Sequence, residues 1–407
     1  MLHDFVPGPL TASALLVRAG SRFDGANPGI AHMTEHMLFQ GTRRLDQLAL
    51  NRRAGELGGE HDADTGYEDM ALHFEVFNED LGDALGLLAE QCFDSMVPVD
   101  RFTKEKRVVI DEIRGRADDP ANYLHERAWT HFYGSTLGHP VCGTIASVRR
   151  MTPAAIRRFI HRRFHPGNMV LSIVGGTRID TVRRVLKRVF PSRGPRVPHP
   201  ASHVRPRGTG MLRLRHGSSP QVHLVRFMTA PLVPRALLAA SMAVEVVGAD
   251  PDARLFQEVR ERMGLGYELG LGVEHGRDWA VVVLSASAAR ADAERLHDAI
   301  DRTFTRAADG FTRAELARAR KKIRYRFARL ADSRMDRAGQ THGGAQPEST
   351  AVSVGARISE RHACSTSLVA RASIACWLAA SVGWPAASRL ACAMARSRRE
   401  SARRAKR

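Results

Sequence analysis

The segment that decides the fold reads Gly29-Ile30-Ala31-His32-Met33-Thr34-Glu35-His36-Met37-Leu38-Phe39-Gln40-Gly41-Thr42. It predicts one short helix, because Asn27-Pro28-Gly29 precedes it and Gly41 stands where a helix would end. His32 and His36 are four residues apart, so both imidazoles project from one face, with Glu35 beside them. Two imidazole nitrogens at this spacing can bind one zinc ion, and a neighbouring carboxylate can take a proton from water. The pattern H-x-x-E-H therefore predicts a zinc-hydrolase helix.

A second helix with unusual chemistry is predicted from Phe102 to Arg116. Glu105, Val109 and Glu112 are spaced four and three residues apart, so they share one face of it. Acids that share a stripe with apolar residues are unusual on a solvated face. Such a stripe is expected where a helix approaches a buried cation.

The segment Gly29–Thr42 resembles the active-site helix of the pitrilysin and insulinase zinc metallopeptidases, which include the mitochondrial processing peptidases. In that family the third zinc ligand is a glutamate some seventy-odd residues after the second histidine. Glu112, which lies 76 residues after His36, matches it within the segment Glu105–Glu112. The resemblance implies that Glu112 binds zinc and that Glu105 orients a ligand. The alternative is that both glutamates are surface acids paired with nearby Lys and Arg.

The resemblance continues at Gly58-Gly59-Glu60-His61-Asp62-Ala63-Asp64-Thr65, where relatives carry Gly-Gly-x-x-Asn-Ala-x-Thr. In the family this stretch is an edge strand that receives the substrate backbone. Asp62 and Ala63 are therefore expected to bind substrate. Asp62 replaces the amide of the family's Asn with a charge, which is expected to alter substrate preference. The alternative is a plain hairpin.

Two further site residues are implied by a second stretch of resemblance, Arg254–Tyr267. In active relatives an Arg and a Tyr seven residues apart reach the zinc site from the second domain, and Arg260 and Tyr267 have this spacing. Arg260 would hold a substrate carbonyl or carboxylate, and Tyr267 would stabilise the oxyanion. The alternative is an ordinary helix-to-strand junction. His139 is predicted to be a loop residue, since zinc hydrolases leave one coordination position open for water.

The resemblance implies an α+β fold: two related domains of the LuxS/processing-peptidase-like metallohydrolase type, with helices packed on a mainly antiparallel sheet. We expect a zinc-binding domain over residues 1–190 whose first strand is missing, a linker over 191–210, and an incomplete second domain over 211–340. Residues 341–407, rich in Ala, Ser and Arg, are expected to be a disordered tail translated from a shifted reading frame. A membrane anchor over the uncharged stretch 372–388 is the rival interpretation, disfavoured by its length and by Pro385.

Composition limits the class of protein. With 407 residues, 43% hydrophobic and 26% charged, the chain can bury the cores of two or three domains. Its net charge of +18 could favour acidic peptides or an acidic partner. Nucleic-acid binding is disfavoured, because the arginines are scattered and aromatic residues make up only 6%. Five cysteines without a C-x-x-C pair, and a start without a secretory signal, indicate a cytoplasmic protein.

The sequence thus predicts a zinc-dependent endopeptidase that acts on peptides or unfolded protein segments, with Glu35 as the general base. Family members enclose their substrates between two pairs of domains, and this chain has only one pair. We therefore expect a homodimer or a heterodimer with a related subunit. We expect no membrane or nucleic-acid partner. The alternative is a non-catalytic partner subunit, or an inactive truncated or frameshifted remnant of such a peptidase.

Overall fold

The computed structural model describes residues 1–134, 137–191, 194, 204–208, 210–217, 219–248 and 250–340. These residues form two compact units. The first consists of Met1–Arg213 together with residues 328–340, and the second is Leu214–Phe327. Most of the predicted linker and the whole predicted tail of residues 341–407 lie outside the described residues.

The first unit is built on a five-stranded sheet with the order β1-β5-β2-β4-β3. Its strands are β1 (Leu2–Phe5), β2 (Leu10–Val17), β3 (Glu60–Thr65), β4 (Met70–Phe77) and β5 (Met169–Gly175). Neighbouring strands are antiparallel except β1 and β5, which are parallel. β3 lies at one edge of this sheet.

Eight helices of the first unit follow in chain order, and most pack on one face of the sheet. They are α1 (Ile30–Leu38), α2 (Gln47–Glu56), α3 (Leu81–Phe93), α4 (Val99–Asp118), α5 (Pro120–Tyr133), α6 (Ile145–Arg150), α7 (Pro153–Arg163) and α8 (Ile179–Val189).

The strands of this sheet alternate between two faces, as their period of two requires. Leu15 of β2 and Leu72 of β4 point into the main core beneath the helices. Ala12 and Ala14 of β2 point the other way, into a smaller apolar cluster. That cluster includes Ala338, which lies on a short helix near the end of the described chain and is fully buried.

The second unit holds a three-stranded antiparallel sheet with the order β6-β8-β7. Its strands are β6 (Gln221–Thr229), β7 (Leu269–His275) and β8 (Ala280–Ala289). Helix α9 (Pro234–Val247) is followed by the short α10 (Arg254–Phe256), which runs into a π-helical turn (Gln257–Arg262). The last helices of this unit are α11 (Ala293–Ala308) and most of α12 (Arg313–Asp332), whereas α13 (Arg334–Gln340) belongs to the first unit.

This architecture confirms the predicted fold class, two α+β units with helices packed on mainly antiparallel sheets. The predicted helix around His32 is α1, and the predicted helix around Glu112 is α4, which extends a little further at both ends. The predicted domain limits and the missing first strand remain predictions. Every helix of the described residues is too short or too polar to cross a bilayer.

Two glycines allow the loop before α6 to lie directly against the start of α1. Gly29 has φ of 87° and Gly143 has φ of 76°, a backbone region that side chains other than glycine rarely adopt. A Cβ on Gly143 would lie 2.3 Å from the carbonyl oxygen of Pro28. The position of α1 therefore depends on the absence of a side chain at Gly143.

We predict that Gly143→Ala destabilises the first unit by at least about 2 kcal/mol, through left-handed backbone strain and displacement of the Pro28 carbonyl. Scanning calorimetry would report this as a lower unfolding temperature. Gly55→Ala, in α2 where nothing lies within 4 Å of the added Cβ, is the matched control. It should leave stability unchanged or raise it by about 0.5–1 kcal/mol. Equal effects of the two substitutions would contradict the account.

Candidate metal centre

Helix α1 begins where Asp24 caps it. The carboxylate of Asp24 accepts hydrogen bonds from the backbone N–H groups of Gly29, at 2.6 Å, and Ala31, at 3.0 Å. The N–H group of Gly29, the residue just before α1, and that of Ala31, in its first turn, have no partner within the helix. A carboxylate at this end also interacts favourably with the helix dipole. Asp24 thus fixes where α1 starts and how it is oriented.

Almost the whole surface of α1 is buried. Ile30, Met33 and Met37 are each at most 1% exposed, and they pack into the main core of the first unit. Only one face of the helix remains partly accessible, and that face carries His32, Glu35 and His36. Because the remaining sides are held by core packing, the three polar side chains have fixed starting points.

Glu112 of α4 lies directly over this face. Its Oε2 atom is 3.7 Å from Nε2 of His32 and 3.6 Å from Nε2 of His36. One ligand atom from each of the three residues lies within 4.8 Å of the other two. Two ligands of a tetrahedral zinc ion, each at about 2.0–2.2 Å, are about 3.3–3.6 Å apart. The two nitrogens and one oxygen therefore fit a zinc ion with only small side-chain adjustments.

Glu105, two helical turns before Glu112 on α4, contacts the other ring nitrogen of His36. Nδ1 of His36 donates to Oε2 of Glu105 at 2.9 Å, and both side chains are 16% exposed. This hydrogen bond fixes the tautomer that leaves Nε2 free to bind a metal. Val109, fully buried between the two glutamates, anchors this stripe of α4 in the core.

Glu35 points toward the edge strand β3. Its Oε2 accepts a hydrogen bond from the Oγ1 hydroxyl of Thr65, the last residue of that strand. Burial raises the pKa of Glu35 to about 7, although the hydrogen bond from Thr65 and the nearby His36 oppose this shift. A carboxyl group with a pKa near neutrality is suited to accept and return a proton.

Burial also favours the neutral form of His32. Its pKa is lowered to about 4 by burial and, to a lesser extent, by His36 and Arg116. A neutral imidazole is the form that binds a metal. Its Nδ1 atom is buried and has no hydrogen-bond partner among the described residues. His32 thus differs from His36, whose Nδ1 bonds to Glu105.

A thiol lies beside the three candidate ligands. Sγ of Cys142 is 3.9 Å from Nε2 of His32. It does not belong to the group of ligand atoms that share one site in the described chain, and neither does His139. Burial raises the pKa of Cys142 to about 11, which favours the protonated thiol. The prediction that His139 is a loop residue agrees with its position between α5 and α6.

The predicted substrate-binding residues lie on β3. Asp62 and Ala63 pair with His73 and Leu72 of β4, and Ala63 packs against the main core. The opposite side of β3 pairs with no other described strand, since β3 is at the end of the sheet order. This is the edge that the sequence led us to expect, next to the Glu35–Thr65 contact. That it binds substrate remains a prediction.

Arg260 and Tyr267 belong to the second unit. Nη1 of Arg260 donates to the carbonyl oxygens of Gly266, at 2.7 Å, and Tyr267, at 3.2 Å. The Tyr267 side chain is accessible, since the residue is 68% exposed. The pair is thus linked within its own unit, and its role at the metal site remains a prediction.

The sequence interpretation assigned no role to Asp24, Thr65 or Cys142. Thr65 ends the stretch that resembles the family's Gly-Gly-x-x-Asn-Ala-x-Thr, so the sequence did contain a signal for it. Asp24 stands five residues before Gly29, where a helix cap is not expected from spacing alone. Cys142 reaches the site from a loop distant in sequence, and no local pattern announces it.

The cap formed by Asp24 leads to a prediction about pH. Burial raises the pKa of Asp24 to about 7, although the hydrogen bonds from Gly29 and Ala31 oppose the shift. The folded protein therefore loses stability from Asp24 as pH rises from about 4 to about 7, because ionisation costs more in the folded state. Asp24→Asn has no proton to lose at this position.

Consequently, the unfolding free energy of the metal-free Asn variant, relative to the metal-free wild type, should rise by about 1–4 kcal/mol from pH 4.5 to pH 7. Urea unfolding at several pH values measures this difference. The lost acceptor shifts the difference by a constant and does not change its slope. A difference independent of pH would show that Asp24 titrates at its ordinary pKa.

Comparison with known proteins finds family models that match two parts of the chain. A family model described as "Insulinase (Peptidase family M16)" matches residues 5–144, and one described as "Peptidase M16 inactive domain" matches residues 150–323. An uncharacterized zinc protease of Mycobacterium bovis is 31% identical over 356 residues, which are 84% of this chain and 81% of that protein. One from Rickettsia felis is 26% identical over 316 residues, 76% of each chain.

Solved structures show the same fold. A protease from Helicobacter pylori aligns with a TM-score of 0.75 at 22% identity, covering 83% of this chain and 84% of that one. A peptidase M16 inactive domain from Pseudomonas fluorescens aligns with a TM-score of 0.70 at 21% identity, covering 83% and 82%. The resemblance found in the sequence is thereby confirmed. The chain belongs to the insulinase family of peptidases, family M16.

Proposed function

We propose that this protein is a zinc-dependent endopeptidase that hydrolyses peptides or unfolded protein segments. The observation that carries the proposal is the convergence of His32, His36 and Glu112 on one point. The related proteins from Mycobacterium bovis and Rickettsia felis are named zinc proteases, which supports zinc as the metal.

The donor set also favours zinc. Two neutral imidazoles and one carboxylate suit this ion, and three protein ligands leave a fourth position for a reactant. In such a site zinc supplies Lewis-acid chemistry, since it makes a nearby water molecule more acidic and polarises the scissile carbonyl. The remaining steps are assigned to residues of the chain.

Glu35 is the general base in this proposal. Its carboxylate removes a proton from water, and the water oxygen forms a bond to the carbonyl carbon of the scissile peptide. The C–N bond then breaks, and Glu35 returns the proton to the leaving amine. Thr65 donates a hydrogen bond to Oε2 of Glu35, so the proton transfer is assigned to Oε1 in this proposal.

Substrate binding is assigned to the free edge of β3. An extended peptide that adds to this edge would lie beside Thr65, and therefore beside the carboxylate that Thr65 contacts. The small side chain of Ala63 leaves room, on its face of the sheet, for the neighbouring side chain of the added strand. Arg260 and Tyr267 are proposed to bind the carbonyl and the developing oxyanion in the assembled enzyme.

A related chain, either a second copy or a homologous subunit, is proposed to complete the enclosure around the substrate. The rival function is a non-catalytic subunit or an inactive remnant. If that rival function is correct, the protein should neither take up zinc nor hydrolyse peptides. The presence of all three candidate ligands and of Glu35 in one chain favours the catalytic role.

The first prediction tests the base. Glu35→Gln should bind zinc about as tightly as the wild type and lower the turnover of a fluorogenic peptide by at least about a hundredfold. Zinc content is measured by mass spectrometry of the metal, and turnover by fluorescence. Chelation should abolish wild-type turnover, and added zinc should restore it. Turnover that survives in the Gln variant would show that another group is the base.

The second prediction tests the hydrogen bond between Glu105 and His36. Glu105→Gln should weaken zinc binding about 10- to 100-fold, because the amide is a poorer acceptor for the His36 N–H group. Competition with a chromophoric chelator measures this affinity. Asp111→Asn is the control, since Asp111 lies on the same helix, is 70% exposed and pairs with Arg114. An unchanged zinc affinity in the Glu105 variant would contradict the assigned role.

A further inference from the structure

We propose that the free edge strand β3 selects peptides that carry a basic side chain at every second position. This inference rests on the proposed peptidase function and concerns which peptides the site takes. It follows from the alternation of side chains along β3 and from the charges on one of its faces.

The two faces of β3 differ in chemistry. His61, Ala63 and Thr65 point to the helix side of the sheet, and each is half-buried. His61 stacks on Phe74 with ring centroids 4.1 Å apart, and Thr65 contacts Glu35. This face, which we call the front face, carries the chemistry and presents no ionised side chain along β3 itself.

The opposite face of β3, which we call the back face, is acidic throughout. Glu60, Asp62 and Asp64 all point this way, and all three are exposed. Glu75 of β4 lies directly opposite Glu60 on the same face. Alternate residues of a strand are about 6.6–6.8 Å apart, so the carboxylates of β3 form an evenly spaced row.

One basic neighbour is already in place on this face. Nε2 of His73 lies 2.9 Å from Oδ1 of Asp64, and Asp64 nevertheless remains 69% exposed. Asp62 uses one oxygen to accept a hydrogen bond from the N–H group of Ala63. The negative charge of the row is therefore least offset around Asp62 and Glu60, the residues that lie furthest from the Thr65 end.

An added peptide strand meets this row with half of its side chains. Directly opposed residues of neighbouring strands have Cβ atoms about 4.5–5.5 Å apart, so Lys or Arg can reach the carboxylates. Like charges at these positions destabilise the pairing. The other half of the peptide side chains faces Ala63 and Thr65, where charge is not selected. Selection should therefore act at every second peptide position, counted from the cleaved bond, and not at the positions between them.

This local preference opposes the net charge of the whole chain. The overall charge of +18 would attract acidic peptides at long range. Such attraction is screened beyond about 8–10 Å at physiological ionic strength, whereas the carboxylate row acts in direct contact. Contacts at the edge should therefore decide which bound peptides are well positioned.

Cleavage of a randomised peptide mixture by the zinc-loaded protein tests the inference. Mass spectrometry of the products identifies residues on each side of the cleaved bonds. We expect Lys and Arg to be enriched, and Asp and Glu depleted, at every second position counted from the cleaved bond. Equal enrichment at neighbouring positions, or no enrichment, would overturn the inference while leaving the peptidase function established. No cleavage of any peptide would instead overturn the proposed function.

Variants of the row provide the second arm. Asp62→Asn should lower kcat/KM for a peptide with alternate lysines about two- to fivefold, as expected for one exposed ion pair. The triple variant E60Q/D62N/D64N should lower it about tenfold. A peptide with glutamines in place of the lysines should lose no more than about twofold. Asp180→Asn, whose side chain is 85% exposed on α8, is the control variant.

Binding gives a readout that does not depend on turnover. In the zinc-loaded Glu35→Gln background, fluorescence anisotropy measures the Kd of the alternate-lysine peptide before and after the triple substitution. A weakening of about tenfold that shrinks at high salt supports the carboxylate row. An unchanged Kd would show that basic side chains are not bound there.

Discussion

The candidate metal centre depends on the burial of α1. A metal site needs ligand atoms held to within a fraction of an ångström, and a helix fixed on all other sides provides this. Apolar residues anchor α1 in the core, Asp24 fixes its first turn, and the backbone at Gly143 presses against its start. Since His32 and His36 share the remaining face, their separation is set by the helix rather than by the metal.

The second support is α4, which packs over the partly accessible face of α1. Val109 is fully buried, and Glu105 and Glu112 flank it by a turn on either side. One glutamate therefore reaches Nε2 of both histidines, while the other reaches Nδ1 of His36. A single buried residue thus sets the positions of both acids relative to the histidines.

The electrostatics of the first unit are unusual because several carboxyl groups are buried. Burial raises the pKa of Asp24, Glu35 and Asp69 to about 7 each. Buried acids cost free energy when they ionise unless a cation or donor compensates. At Glu35, a divalent ion held by the neighbouring ligands would provide such compensation and lower the pKa of the carboxyl. Burial of these carboxyl groups lowers the stability of the metal-free protein when they ionise. At Glu35, the same burial gives the carboxyl group the higher pKa that suits a proton acceptor.

Much of this site could be predicted from the sequence because its first half is local. The four-residue spacing of His32 and His36 places both on one helix face without knowledge of the fold. Glu112 could be assigned only through the family resemblance, since nothing local relates it to α1. The contacts of Asp24 and Thr65 depend on tertiary packing. The back-face row of β3 required the pairing register, because a shift by one residue would exchange its two faces.

The central claim is that two imidazoles and one distant carboxylate bind the same ion. X-ray absorption at the zinc edge of the loaded protein tests this most directly. We expect two imidazole nitrogens and otherwise only oxygen ligands, all at about 2.0–2.2 Å, and a changed oxygen shell in Glu112→Ala. A sulfur atom at about 2.3 Å, which would place Cys142 in the coordination sphere, or an oxygen shell unaltered in that variant, would contradict it.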